Sequence, residues 1–291
     1  MTIPNSATVS AVITAYNRPD FLEKSLTSVL AQTYPLSQII IVDDCSPTSL
    51  NHLLEKIKDP RIEYIRLEKN SGANVARNIG IQKSTSEWVA FLDDDDAWYP
   101  EKIDKQIHIV KSHFIACVTS YSDMYSKQNA VTFNESIVSQ QRLKNGNPYC
   151  GTSGLIAKRS ILIENPFDES LPSGQDWDMY VRLSHLSDIA YIPEPLLYFR
   201  RGSHESITTK SAAMSWRDKI KRAASATKHK EWLGLDAYCE RVVKTYLSFP
   251  GLNFNTLIML IISVKEVGFK KLLVYSFSRF RIKTGLERLK Q

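Results

Sequence analysis

Short apolar strand-like runs and helical stripes alternate along the first third of this 291-residue chain, and that alternation restricts the fold more than any other feature. Thr8–Tyr16, Gln38–Val42, Arg61–Leu67 and Trp88–Leu92 are rich in β-branched or aromatic residues and have the length of strands. Between them, Pro19 opens a segment whose Phe21, Leu22, Leu26, Val29 and Leu30 share one helical face. Leu50–Ile57 reads as a short helix, and Ser71-Gly72 opens another that runs to Gln82. Such a chain folds as an α/β domain: a mostly parallel sheet with helices on both faces.

Two of the strands run directly into carboxylates: Val42 into Asp43-Asp44, and Leu92 into Asp93-Asp94-Asp95-Asp96. In a parallel sheet both ends lie on one edge, where open α/β sheets bind their ligands. Four adjacent acids repel one another, and no core holds them unpaired. They sit in water or on a cation. Oxygen-rich clusters suit Mg2+ or Mn2+, which commonly bridge to a substrate's phosphates. Plainer readings stand beside this one. The cluster can be a solvated turn before a helix beginning near Pro100, with Asp96 as a helix-start acid. Asp43-Asp44 can be an Asx-type turn before Ser46-Pro47. No G-x-G-x-x-G follows the first strand and no G-x-x-x-x-G-K-[ST] occurs, which weighs against a dinucleotide dehydrogenase or a P-loop NTPase. A phosphate-bearing ligand is then left to metal and basic side chains.

Beyond Pro100 the pattern predicts a helix over Glu101–His113 and a strand over Ile115–Met124. Residues 125–150 are polar and irregular, the profile of a mobile insertion. A small-residue strand follows over Thr152–Lys158, then a helix from about Asp176, then strands over Ile189–Ile192 and Leu196–Arg201. With 43% hydrophobic and 23% charged residues, the chain can bury a sizeable core. Its four cysteines lack metal-type spacing and suggest no disulfide frame, which favours the cytoplasm. The N-terminus has no signal-peptide pattern, and no apolar run reaches the roughly 18 residues of a membrane span.

The matching motifs are Val12-Ile13-Thr14-Ala15-Tyr16-Asn17, Ile41-Val42-Asp43-Asp44-Cys45-Ser46, Gly72-Ala73-Asn74-Val75-Ala76-Arg77-Asn78, Phe91-Leu92-Asp93-Asp94-Asp95-Asp96 and Gln175-Asp176-Trp177, extended by Arg200-Arg201-Gly202-Ser203-His204. In this order they resemble the family 2 glycosyltransferases of the bacterial surface-polysaccharide type, over about residues 8–207. The resemblance implies a GT-A (Rossmann-like) fold over 1–208, with a nucleotide-binding half to about residue 100 and an acceptor-binding half over 101–208. It implies inverting transfer of a sugar from a nucleoside-diphosphate sugar, a UDP-sugar, to a hydroxyl of a glycan or lipid-linked acceptor. Gln175 departs from the family pattern, which often has Glu before the acid.

The same resemblance assigns roles. Asp95 is the metal ligand, for Mn2+ or Mg2+. Asp93 or Asp94 accepts from the ribose hydroxyls, and the run of four admits either. Asp44 accepts from the uracil imide, with Thr14 and Tyr16 lining its pocket. Asp176 is the base that takes the acceptor's proton. Beyond the resemblance, Arg200 and His204 can fold over the diphosphate as a lid once donor binds, or His204 can simply be solvated in its polar loop. Read from the residues alone, Tyr16 can equally close the end of the first strand, Arg77 can lie near the donor or pair with Asp43 or Asp44, Asp176 can cap its helix, and Asp178 is expected in solvent.

Residues 210–291 hold 17 Lys+Arg against 6 Asp+Glu, a basic tail on a mildly acidic body. Apolar Leu257–Val264 and blocks of Lys and Arg suit amphipathic helices over 209–291. These helices either lie on the inner leaflet of a membrane, or pack on the catalytic domain or on a second copy. The basic residues lack an aromatic–basic reading platform, so no nucleic-acid role is expected. The rival readings are a sugar-nucleotide pyrophosphorylase, which would carry a glycine-rich basic signature after its first strand, and a nucleotide-sugar-binding module without turnover.

Overall fold

The computed structural model describes residues 7–126, 128, 130, 132–200, 215–246 and 254–272. The chain divides into two compact units. The first comprises Met1–Leu143, Asn147–Ser170 and Gln175–Gly202, and the second Lys144–Gly146, Leu171–Gly174 and Ser203–Gln291.

The first unit is built on one eight-stranded sheet of order β3-β2-β1-β4-β7-β6-β8-β5. β1 (Val9–Ala15), β2 (Gln38–Asp43), β3 (Ile62–Arg66) and β4 (Trp88–Asp93) pair in parallel. They are linked by α1 (Pro19–Leu30), α2 (Asn51–Ile57) and α3 (Ala73–Lys83). Every residue of β1 is buried, as expected of a central strand covered on both faces. The chain steps outward from β1 to β2 and β3, then returns to place β4 on the other side of β1. That reversal leaves a crevice at the carboxyl ends of β1 and β4, where Thr14 stands opposite Asp93.

α3 packs closely enough on β1 that only glycine fits at position 80. A Cβ there would lie 2.3 Å from Val12 Cγ1. The close approach brings Arg77, one turn earlier, to the crevice.

The other half is mixed. β7 (Ile156–Lys158) is antiparallel to both β4 and β6 (Ala116–Asp123), and β6 runs parallel to β8 (Ala190–Phe199). β5 (Ala97–Trp98) hydrogen-bonds β8, and α4 (Lys102–Val110) begins two residues beyond Pro100. The two strands expected at 189–201 are one strand, with register irregularities along its pairing to β6 where Pro193 and Pro195 interrupt the donors. The strand expected over Thr152–Lys158 starts as a 3₁₀ turn, Thr152–Gly154.

The end of the 125–150 segment is packed rather than loose. After α5 (Gln140–Lys144), Tyr149 and Cys150 are buried, and the Tyr149 ring lies 4.8 Å from that of Tyr191. α6 (Arg159–Glu164) and α7 (Gln175–Leu186) complete this unit's helices among the described residues. The second unit carries α8 (Trp216–Arg222), α9 (Ala224–Lys228), α10 (Lys230–Tyr246) and α11 (Phe254–Val267). α10 kinks at Gly234, which sits at φ 72°. No helix among the described residues is long and apolar enough to cross a membrane.

Candidate active site

The backbone at the crevice is fixed by its own hydrogen bonds. Asp94 N–H donates to Thr14 O at 3.1 Å, and Asp44 N–H to Ala15 O at 2.9 Å. These bonds splay consecutive carboxylates in different directions, so the acids of one run do different work.

Asp43 faces inward. It is fully buried and accepts from Ser46 N–H at 2.8 Å, Ser46 Oγ at 2.5 Å and Tyr64 OH at 2.6 Å. It is the turn residue of the pair. Asp44 accepts from the backbone N–H groups of Ser71 and Gly72, at 2.7 and 2.8 Å, and so holds the loop that enters α3. Gly72 sits at φ 92°, which lets that loop present both donors.

Asp93 Oδ1 accepts from Thr14 Oγ1 at 3.2 Å and from Arg77 Nη2 at 2.6 Å. Arg77 is buried, lies 5.4 Å from the centre of the Phe167 ring and also bonds Asn74 Oδ1. Its ion-pair partner is therefore Asp93 and not Asp43 or Asp44, because α3 runs over β1 toward the β4 end. Tyr16 is 42% exposed. Its N–H donates to Asp94 Oδ2 at 3.1 Å.

Asp94 is 1% exposed, and burial pushes its carboxyl up to about 7, against the pull of Arg18. Its Oδ1 lies 2.5 Å from Arg18 Nη2 as an ion pair but accepts no well-aligned hydrogen bond. Arg18 Nη1 reaches Asp95 Oδ2 at 2.6 Å. Asp96 does not start a helix. It is buried and accepts from Arg200 N–H at 3.0 Å, and burial, with Asp95 and Asp93 adding to it, raises its pKa well above the usual carboxylate value. Arg200 also donates from Nε to Asp95 O and from Nη1 to Tyr125 OH, and it stacks 3.8 Å from the Phe21 ring centre. Arg200 therefore locks the acidic turn to the end of β8. His204 lies outside the described residues.

On α7, Asp176 lies within the first turn, and its Oδ2 accepts from Asn147 Nδ2 at 2.6 Å. Burial raises its pKa; Asn147, the Trp177 N–H and the charge of Arg77 oppose that rise. Asp178 is not in solvent. It is 0% exposed and pairs with Arg182 at 2.9 Å, because the helix turns that face inward alongside Trp177 and Val181.

Among the described residues, no group of three ligating side chains converges on one point. The acids fit a cation held by one or two carboxylates plus oxygens from a substrate, the usual Mg2+ arrangement. The feature that fits is Asp94 Oδ1, a buried carboxylate oxygen that accepts no aligned hydrogen bond among the described residues and faces partly exposed Arg18. A cleft of about 620 Å³ lies elsewhere, lined by Asp104, His108, Ile109 and Ile192–Pro195, and takes in none of these acids.

The family model for glycosyl transferase family 2 matches residues 10–168, from β1 through the acids of β4 to α6. This chain belongs to glycosyl transferase family 2. The family 2 chain is 32% identical over 218 residues to the putative teichuronic acid biosynthesis glycosyltransferase TuaG of Bacillus subtilis, covering 72% of this chain and 85% of that protein. It is 38% identical over 123 residues to the UDP-Glc:alpha-D-GlcNAc-diphosphoundecaprenol beta-1,3-glucosyltransferase WfaP of Escherichia coli, covering 42% of this chain and 48% of that one. It spans 32%, 32% and 27% of three longer Rickettsia glycosyltransferases that it also matches. The crystal structure of S. aureus TarS 1-349 in complex with UDP-GlcNAc shares the fold, with a TM-score of 0.68 at 19% identity over 88% of this chain and 79% of that one. The GT-A arrangement expected of the family 2 glycosyltransferase is thus the one observed. The sequence reading did not single out Arg18 or Asn147 as site residues. Arg18 follows Asn17 directly after the first motif, and Asn147 lies in the turn-forming run Asn145-Gly146-Asn147-Pro148, outside every motif.

Proposed function

We propose that this family 2 glycosyltransferase moves a sugar from a UDP-sugar to a hydroxyl of a lipid-linked bacterial surface glycan, inverting the anomeric centre. The observation that carries the reading is the acidic edge of the sheet, where Asp93 at the end of β4 bonds both Thr14 at the end of β1 and buried Arg77 of α3. The donor class draws support from TarS, whose solved complex holds UDP-GlcNAc, and the lipid-linked acceptor from the name of WfaP.

In this reading, the uridine lies at the ends of β1 and β2, between Tyr16 and Asp44, with Thr14 and the β4 acids beside the ribose. The acceptor oxygen attacks the anomeric carbon as the bond to the diphosphate oxygen breaks, and the diphosphate leaves with the electron pair. Asp176 takes the hydroxyl proton. A base buried enough to have a raised pKa is a stronger proton acceptor while still ionised near neutrality. Asp95, with the unbonded oxygen of Asp94, would hold Mn2+ or Mg2+. When bound, that ion supplies Lewis-acid stabilisation of the departing charge. Arg18 must release both carboxylates to make room.

The second unit supplies a surface for the acceptor's lipid. Leu260, Ile261 and Val264 of α11 are exposed on one side, with Ile261 at 53%, and Phe269 follows. Lys265, Lys270 and Lys271 accompany them. Apolar side chains beside lysines suit an anionic membrane surface.

The test is UDP release from UDP-glucose and UDP-GlcNAc with Mn2+. The reading requires release by the wild type, its loss with Asp95→Ala, and a fall of about 10²- to 10⁴-fold with Asp176→Asn. A binding module without turnover would release no UDP. A pyrophosphorylase would form UDP-sugar from UTP and a sugar phosphate instead.

A further inference from the structure

We propose that Asn147 is a positioning residue for the reaction: it grips one oxygen of Asp176 so that the other meets the acceptor's hydroxyl. The inference rests on reading Asp176 as the base.

The geometry fixes the amide in one orientation. Asn147 Nδ2 donates to Asp176 Oδ2 and to Cys150 O, both at 2.6 Å, while Oδ1 accepts from Tyr149 N–H at 3.1 Å. A flipped amide would set its NH₂ against the Tyr149 N–H and its oxygen against two acceptors, losing all three bonds. The clamp is itself anchored. The hydroxyl of buried Tyr149 accepts from Ser139 N–H at 2.7 Å and donates to Glu135 Oε1 at 2.9 Å. Asn147 therefore transmits the position of a packed segment to a carboxylate on a different element, α7.

This contact does two things. It removes rotational freedom from Asp176, which sets the angle at which the base meets the reacting proton. It also donates to the charged form of the carboxylate, which opposes the effect of burial. The other groups facing Asp176 are Arg77 of α3, Cys150 and Tyr180. Burial raises the pKa of the Cys150 thiol to about 11 and that of the Tyr180 hydroxyl well above its ordinary value, so both stay neutral over the working range. The Asp176 carboxyl, its pKa raised by burial, is the group of this site that the acidic limb of a rate profile reports.

The experiment measures the pH profile of Mn2+-supported UDP release from UDP-glucose, with water as acceptor, for the wild type, Asn147→Ala, Asn147→Asp and Asp176→Asn. Asn147→Ala should shift the acidic limb of kcat/KM upward by about one pH unit, as expected for loss of a hydrogen bond to a charged group. Asn147→Asp, nearly the same shape but adding a like charge, should shift it further. Both should lower kcat by about 10- to 100-fold, with the KM for UDP-glucose unchanged. A residue that only braced the fold would lower the melting temperature and leave the limb in place. Asn147→Ser, which keeps a short donor, replaces Asn147→Ala if the latter does not fold, and should retain part of the rate. If Asp176→Asn is inactive while the Asn147 variants keep the wild-type limb and kcat, the base stands and the role of Asn147 is overturned. If Asp176→Asn reacts at the wild-type rate, the base assignment fails, and this inference with it.

Discussion

Replacing Arg18 with methionine removes a side-chain cation from Asp94 and Asp95 while keeping most of the packing volume. Arg18 is 35% exposed and reaches the two carboxylates at 2.5 and 2.6 Å. The Asp95 pair is partly solvated and screened, so it contributes about 0.5 kcal/mol. The Asp94 pair has one end buried, and its loss leaves a carboxylate without compensation, costing about 1–2 kcal/mol. In EDTA, Arg18→Met should therefore unfold about 4 °C below wild type. A metal that uses these same oxygens must displace Arg18 in the wild type but not in the variant. The variant should bind Mn2+ roughly tenfold more tightly without nucleotide, the ratio equivalent to about 1.4 kcal/mol. Saturating Mn2+ should close the gap in melting temperature. Electron paramagnetic resonance of free Mn2+ measures the affinity, and thermal unfolding in EDTA and in Mn2+ measures the stability. Equal or weaker Mn2+ binding by Arg18→Met would refute the argument, because the ion would then not occupy the place that Arg18 holds.

Three further outcomes can be checked. Lys102 is fully buried, bonded to Gln106 Oε1 at 2.8 Å and 4.3 Å from the Trp98 ring centre, and burial lowers its pKa from 10.5 to about 7. The folded protein thus holds that proton less readily than the unfolded chain, a deficit that is full below about pH 7 and fades as pH rises toward 10.5. Lys102→Met should stabilise the protein by about 2 kcal/mol at pH 6 and by progressively less as pH rises above about 7, measured by urea unfolding. Gly80→Ala should lose about 1–2 kcal/mol despite alanine's better helix propensity, because its Cβ would meet Val12 Cγ1 at 2.3 Å; a gain in melting temperature would show that α3 yields easily. In the full chain, Ile261→Glu should weaken flotation on vesicles containing phosphatidylglycerol, and unchanged flotation would show that α11 does not meet the membrane.

The parallel half of the sheet was legible because its signals are local. β-branched runs and a helical stripe report burial through period alone, and β1 to β4 lie where those signals place them. The second half was harder. β5 has two residues and β7 three, too short for any period to show. β8 reads as two strands because its prolines interrupt the pattern without ending the pairing. Asp178 illustrates the limit for single residues. An acid one turn into a helix ordinarily faces water, and only the packing of α7 turned it inward onto Arg182.

Amino-acid order alone determined which strands end in acids, that those ends share an edge, and that the chain lacks a glycine-rich phosphate loop, because adjacency and periodicity are properties of the chain itself. What each acid does was decided only in three dimensions. Asp43 closes a turn, Asp44 holds a loop, Asp93 takes Arg77, and Asp94 and Asp95 face Arg18. The partners of these acids come from residues up to 104 positions away along the chain, as with Arg200 on Asp96. A carboxylate's charge, reach and proton affinity depend on what folding brings beside it, and that is set by packing between elements rather than by neighbours in sequence.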